Sequence, residues 1–332
     1  MGFKLIAETA WHHQGEYDYM QQLIHTLCKS KTDWIKIHLL LNIDEYINKD
    51  HALYKSYKKW MLPEEKWVKL INIIKQSGKD LLVLCNDRAS IDFALENNAS
   101  AIELHAVTVH DSHLFNHLIE RVKDKNLPIF IGIGSLPLEE VDALYQQNLN
   151  LVMMFGIQNY PTKPEYLALA KQRRLMRLFP KAAFGYADHT EWDHPDNLLL
   201  TLMGGLDKTY IEKHVSISPG EKRIDYESAI SIDQFNQLRD WLDLAEKAEG
   251  TGAFSTNWGE AQYGQIGPMR KAMIACRDFA KGEPFDMDSI IYQRTARTSD
   301  LLPFMIQGFT PFFEQDVKAG QIITGKMLTR QK

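Results

Sequence analysis

Along the chain, short apolar and β-branched runs alternate with longer stretches in which apolar residues return every three to four positions. The short runs fall at residues 3–8, 34–40, 80–86, 101–107, 128–134, 149–156, 183–188 and 209–215. Their nearly continuous apolar character, as in LLVLC and LVMMF, is that of strands covered on both faces, which predicts a parallel sheet. The longer stretches predict helices at 17–30, 63–78, 88–97, 113–125, 138–147, 164–178, 195–203 and 231–248. The second of these is the clearest. Pro63 opens it where a missing N–H is harmless, Trp67, Leu70, Ile71 and Ile74 form one stripe, and Gly78 stops it.

Eight strand–helix units in residues 1–250 predict a (β/α)8 TIM barrel, because a right-handed crossover repeated eight times closes the sheet. An open doubly wound sheet is the alternative. Residues 251–268 are rich in Gly and small polar side chains without periodicity and read as a linker. Residues 269–332 carry short alternating runs broken by Lys281-Gly282, Pro303 and Lys318-Ala319-Gly320, which predicts a small β-rich domain.

Composition narrows the function classes. The chain has 332 residues with 38 basic and 43 acidic side chains, a net charge of −5, and its Lys and Arg are dispersed, so nucleic acid is not an expected partner. No apolar run approaches the roughly 20 residues of a membrane span, and the N-terminus lacks the features of a signal peptide, so a cytoplasmic location is expected. Cys28, Cys85 and Cys276 lack the spacing of a disulfide framework or a thiolate zinc site.

Active sites of such barrels form at the C-terminal strand ends. That selects Glu8, His12 and His13 after the first strand, Lys36 and His38 on the second, and Glu103 and His105 on the fourth. It also selects Tyr160 after the sixth, Asp188 and His189 after the seventh, and Glu212 and His214 on the eighth. His189 and His214 end neighbouring strands, so their imidazoles can converge on a divalent ion with open positions, or remain two buried histidines bonded to backbone. Lys36 is unusual in so apolar a strand, because an unpaired buried ammonium is costly. Two signals carry no weight: GQIITGK at 320–326 matches a phosphate-loop spacing but is followed by Met327, and His110, His113 and His117 continue into a helix face.

The segments AETAWHHQG, NYPTKP, GYADHT, IEKH and RID at 223–225 occur in the order and spacing of the sialic acid synthase family, which this chain resembles over nearly its whole length. The tail, with RDFAKGE and DVKAGQI, is similar to that family's antifreeze-like (SAF) domain. The resemblance implies condensation of phosphoenolpyruvate with an N-acylmannosamine-type amino sugar, assisted by Mn2+ or Mg2+ on His189 and His214. It also implies roles for Glu8 and Asp225 in catalysis and for Lys36, Gln158 and Tyr160 in substrate binding. Arg294 is implied to reach a neighbouring subunit's site in a domain-swapped homodimer. Where the family's fourth strand has K-I-G-S-G for the donor, this chain has Glu103-Leu104-His105-Ala106-Val107. Three readings follow: a synthase whose donor site is rebuilt from His12, His38 or His105, another metal-assisted sugar aldolase or isomerase, or a non-catalytic sugar binder.

Overall fold

In the computed structural model the apolar runs lie side by side in one closed parallel barrel. The structure describes residues 2–147, 149–156, 159–250, 271–296, 301 and 306–330. The barrel strands are β1 (Lys4–Glu8), β2 (Trp34–Leu39), β3 (Asp80–Cys85), β4 (Ala101–Leu104), β5 (Ile129–Gly132), β6 (Leu151–Phe155), β7 (Ala183–Asp188) and β8 (Tyr210–His214). They neighbour one another in sequence order and β8 closes on β1, so the open sheet is excluded. The chain divides into two compact units, Met1–Glu249 and Gly250–Lys332.

Alternation along each strand sorts the side chains. Outward residues such as Leu5, Ala7, Ile35, Ile37, Val83 and Ile211 pack beneath the surrounding helices. Helix Tyr17–Lys29 lays down Met20, Leu23, Ile24 and Leu27, and helix Glu64–Gln76 lays down Trp67, Leu70, Ile71 and Ile74. Each fully buried apolar side chain of this size is worth about 1.5–3 kcal/mol. Inward residues Ile6, Trp34, Leu82, Ala101, Phe130, Val152 and Met154 form an apolar plug inside the barrel. The inward residues one step further along β1, β2, β4 and β8 are polar: Glu8, Lys36, Glu103 and Glu212.

Residues 43–60, between β2 and helix Glu64–Gln76, hold two short helices, Ile43–Tyr46 and Tyr54–Trp60. The KSYKKW segment at 55–60 turns Tyr57 and Trp60 onto Trp11, with ring centroids 5.3 and 6.1 Å away. Gly15 permits this docking: its φ is +84° and a Cβ there would collide with the Lys59 carbonyl. The stretch 164–178 is broken into a 3-10 turn and the helix Leu169–Leu178. Among the described residues no helix is long and apolar enough to cross a membrane.

In the second unit, β9 (Lys271–Ala275) pairs antiparallel with β10 (Ile290–Arg294), and β11 (Phe312–Phe313) with β12 (Leu328–Thr329). Met273, Phe279, Phe285, Phe313, Val317 and Ile323 make its core. The whole of the predicted linker, 251–268, lies outside the described residues.

Candidate active site

Strand register brings the polar layer together. Glu8 stands opposite Lys36 on β2 and opposite His214 on β8. A cavity of about 580 Å³ opens above this layer, lined on one side by Glu8, Tyr160, His189, His214 and Asp225, and on the other by Lys36, His38, Glu103, His105 and Glu212.

On the first side, one ligand atom each from Glu8, His189 and His214 lies within 4.8 Å of the others. His189 Nδ1 donates to the Ala187 carbonyl at 3.1 Å, which leaves its Nε2 with a free lone pair. That Nε2 is 3.2 Å from His214 Nε2, which is also 3.1 Å from Glu8 Oε2. Burial, then the neighbouring His214, lowers the His189 pKa to about 3, so its imidazole is neutral. Two imidazole nitrogens and a carboxylate oxygen aimed at one point are a donor set suited to a divalent transition ion, and the residues fit that group.

The strand ends that carry these histidines are fastened outside the barrel. Asp188 precedes His189 and Lys213 precedes His214, and their side chains form a fully buried ion pair. Asp188 also accepts from Thr190 and, at 2.8 Å, from the Tyr186 hydroxyl. Lys213 outweighs burial and holds the Asp188 pKa below its ordinary value.

Tyr160, after β6, shares a 3.2 Å hydrogen bond with the Ser228 hydroxyl. Asp225 has φ +62°, and burial raises its pKa although His214 and His38 oppose the shift. Trp11, Tyr46 and Tyr57 complete this wall of the cavity.

On the second side Lys36 is enclosed. Its Nζ lies 2.8 Å from Glu103 Oε2, 2.9 Å from Glu212 Oε1 and 3.3 Å from Glu8 Oε1. Burial alone would lower its pKa; Glu103, Glu212 and Glu8 together raise it instead. Burial and like charge move Glu103 up and Glu212 well up, whereas Glu8, also opposed by burial, is carried well down by Lys36 and His214. His38 Nε2 reaches Glu8 Oε1 at 2.5 Å.

His105 lies just past β4 rather than on it, and its Nδ1 accepts from the Val107 amide at 3.2 Å. Burial, then Lys36, lowers its pKa to about 4. His12 does not line the cavity; it is fully buried, 6.0 Å from the His214 ring, and so is no part of a donor site. Gln158 lies outside the described residues. Arg294 ends β10 in the second unit.

The sequence reading selected Glu212 without giving it a place beside Lys36, and it did not select the aromatic wall. A signal for Glu212 exists: Lys36-x-His38, Glu103-x-His105 and Glu212-x-His214 repeat a charged residue two places before a histidine, which puts both on the same strand face. Trp11, Tyr46 and Tyr57 meet only through tertiary packing.

Residues 34–254 match the family model described as "NeuB family". The chain is 23% identical to the spore coat polysaccharide biosynthesis protein SpsE of Bacillus subtilis, covering 93% of this chain and 87% of that protein. It is 21% identical to the N,N'-diacetyllegionaminic acid synthase of Campylobacter jejuni, covering 88% and 90%. In fold it is similar to a crystal structure described as a spore coat polysaccharide biosynthesis protein E from Chromobacterium violaceum, with a TM-score of 0.74, 19% identity and coverage of 98% and 99%. The match to the family model spans most of the barrel and both histidine-bearing strand ends, and on that ground the chain belongs to the NeuB family.

Proposed function

We propose that this chain is a nonulosonic acid synthase-type enzyme. It joins a three-carbon enol donor to the aldehyde carbon of an open-chain N-acylmannosamine-type sugar, with Mn2+ or Mg2+ held by Glu8, His189 and His214. The observation that carries the reading is the convergence of those three ligand atoms within 4.8 Å at the barrel mouth. Bound there, the ion supplies Lewis-acid polarisation of the aldehyde oxygen. The relatives named as synthases support the same reaction class.

The chain's own groups divide the remaining work. Tyr160 and Asp225 offer a hydroxyl and a carboxyl to the sugar hydroxyls. Asp225, with its raised pKa, is suited to hold a proton beside the sugar oxygen. Trp11, Tyr46 and Tyr57 give flat apolar faces for the sugar's C–H edges and exclude water. Lys36, His38, Glu103 and His105 form the donor half, where the family resemblance implies phosphoenolpyruvate. In the same reading residues 269–332 are an antifreeze-like domain, Arg294 serves a second copy's cavity in a domain-swapped homodimer, and Gln158 contacts substrate.

The test is phosphate release from phosphoenolpyruvate across a panel of N-acylated hexosamines, with and without Mn2+ or Mg2+. Release that needs both metal and one sugar is the expected result; none from any combination with folded, metal-loaded protein overturns it. A second reading, a metal-assisted aldolase or isomerase acting on the sugar alone, is favoured by the enclosure of Lys36. Turnover of a sugar with no enol donor present would select it.

A further inference from the structure

The two imidazoles that point at one another across the cavity mouth are not held alike. A ring that offers Nε2 to a cation carries its proton on Nδ1, and that N–H needs a partner of its own to fix the tautomer and the direction of the ring. His189 has one, the Ala187 carbonyl. The Nδ1 of His214 is buried and makes no hydrogen bond among the described residues. Glu8 and His189 both face its Nε2, so neither can serve. Leaving a buried N–H unpaired is costly, which directs attention to what packs beside it.

That neighbour is His12, edge to face with His214 and with ring centroids 6.0 Å apart. His12 is fully buried, and its ring nitrogens make no hydrogen bond to a side chain among the described residues. The Ile224 carbonyl faces the ring as an acceptor for its one N–H. A neutral imidazole so placed keeps a lone pair on its other nitrogen. Packing alone would be met by a phenylalanine, so the two nitrogens are what distinguishes the residue chosen.

The turn that carries His12 is built to hold it there. Ala10 and Gln14, on either side, both sit at φ +46°, a left-handed conformation that residues other than glycine adopt at a cost. Arg223 Nη1 donates to the His12 carbonyl at 3.1 Å, and its guanidinium lies over the Tyr19 ring.

Resting on the metal site of the synthase reading and carrying it one layer outward, we infer that His12 is a positioning residue for His214. Its lone pair takes the His214 Nδ1–H, with one buried water able to span the two rings, and so holds the tautomer that turns Nε2 toward the ion.

The test is Mn2+ titration of the full-length protein at pH 7.5, followed by electron paramagnetic resonance, for the wild type, His12→Phe, His12→Asn and His12→Gln. The phenylalanine variant keeps the bulk and loses the acceptor, and should bind Mn2+ about tenfold to a hundredfold more weakly. The amides each put an oxygen near the place of one ring nitrogen, and one of them should return affinity to within about threefold of the wild type. Wild-type affinity in His12→Phe overturns the inference, as do two amide variants that bind as weakly as His12→Phe, since shape alone would then explain the loss. Thermal melts verify folding, and His12→Met replaces His12→Phe if that variant does not fold. No Mn2+ binding by the wild type would end the metal reading itself and this inference with it, whereas binding that His12→Phe leaves untouched ends the inference alone.

Discussion

The two halves of the cavity rise from the same barrel layer and end in opposite states. On the side of β7, β8 and β1, imidazole nitrogens and a carboxylate oxygen face one another with no cation of the chain's own between them. On the side of β2 and β4, Lys36 fills the equivalent space among three carboxylates. Glu8 belongs to both, giving one oxygen to each side. The difference teaches that donor atoms without an internal cation mark the place for a cation from outside, while on the other side the chain supplies the cation itself.

The comparison can be broken at several strengths. If the first side holds the ion, His189→Ala and His214→Ala each lower turnover by about a thousandfold or more and abolish tight Mn2+ binding; a Mn2+ titration followed by electron paramagnetic resonance checks this, and unchanged binding removes the metal role. Next comes the lysine outside the barrel. Lys213→Met takes away the cation that holds the Asp188 pKa down and leaves a fully buried carboxyl group with Thr190 and Tyr186 as its remaining side-chain partners, and should cost about 3–5 kcal/mol in urea denaturation.

Lys36→Met should cost less, about 2 kcal/mol, because Glu103 and Glu212 already have raised pKa values and can take up protons once the ammonium is gone. Equal losses in the two lysine variants would mean that the inner carboxylates stay charged. The smallest effect is a pH dependence. Burial lowers the pKa of His13 to about 3 from 6.5, so the unfolded chain takes up the proton first and stability is lost as pH falls from 6.5 toward 3. Relative to His13→Phe, the wild type should lose on the order of 2 kcal/mol between pH 7.5 and 4.5. Thermal melts of both proteins across that range measure it, and parallel curves would show a His13 that takes up its proton as readily in the folded as in the unfolded chain.

Much of the barrel was legible because burial on both faces leaves strands little choice of residue: runs such as LLVLC could be placed to within a few positions. The ends were less legible. The run at 101–107 stops pairing at Leu104, since His105 turns to bond its own loop through the Val107 amide. The histidines and Glu8 could be found because polar residues at strand ends stand out against apolar neighbours. Lys36 stood out for the same reason, but its pairing with Glu103 and Glu212 did not, because those residues come from strands far away in sequence. The aromatic wall was hidden differently. Tyr57 and Trp60 sit in a lysine-rich segment whose charge suggests solvent, and only their packing on Trp11 reveals which face is turned inward.

The buried pair of Asp188 and Lys213 has a consequence for descent as well as for stability. In D-H-T and E-K-H, alternate letters answer to different demands: the histidines face the cavity, while the aspartate and lysine beside them fasten two strands from the outside. Selection on chemistry can relax at one set of positions while selection on folding still holds the other. A descendant that had given up catalysis would drift at the histidines and keep the aspartate and lysine, and one that had found another way to brace β7 against β8 would do the reverse.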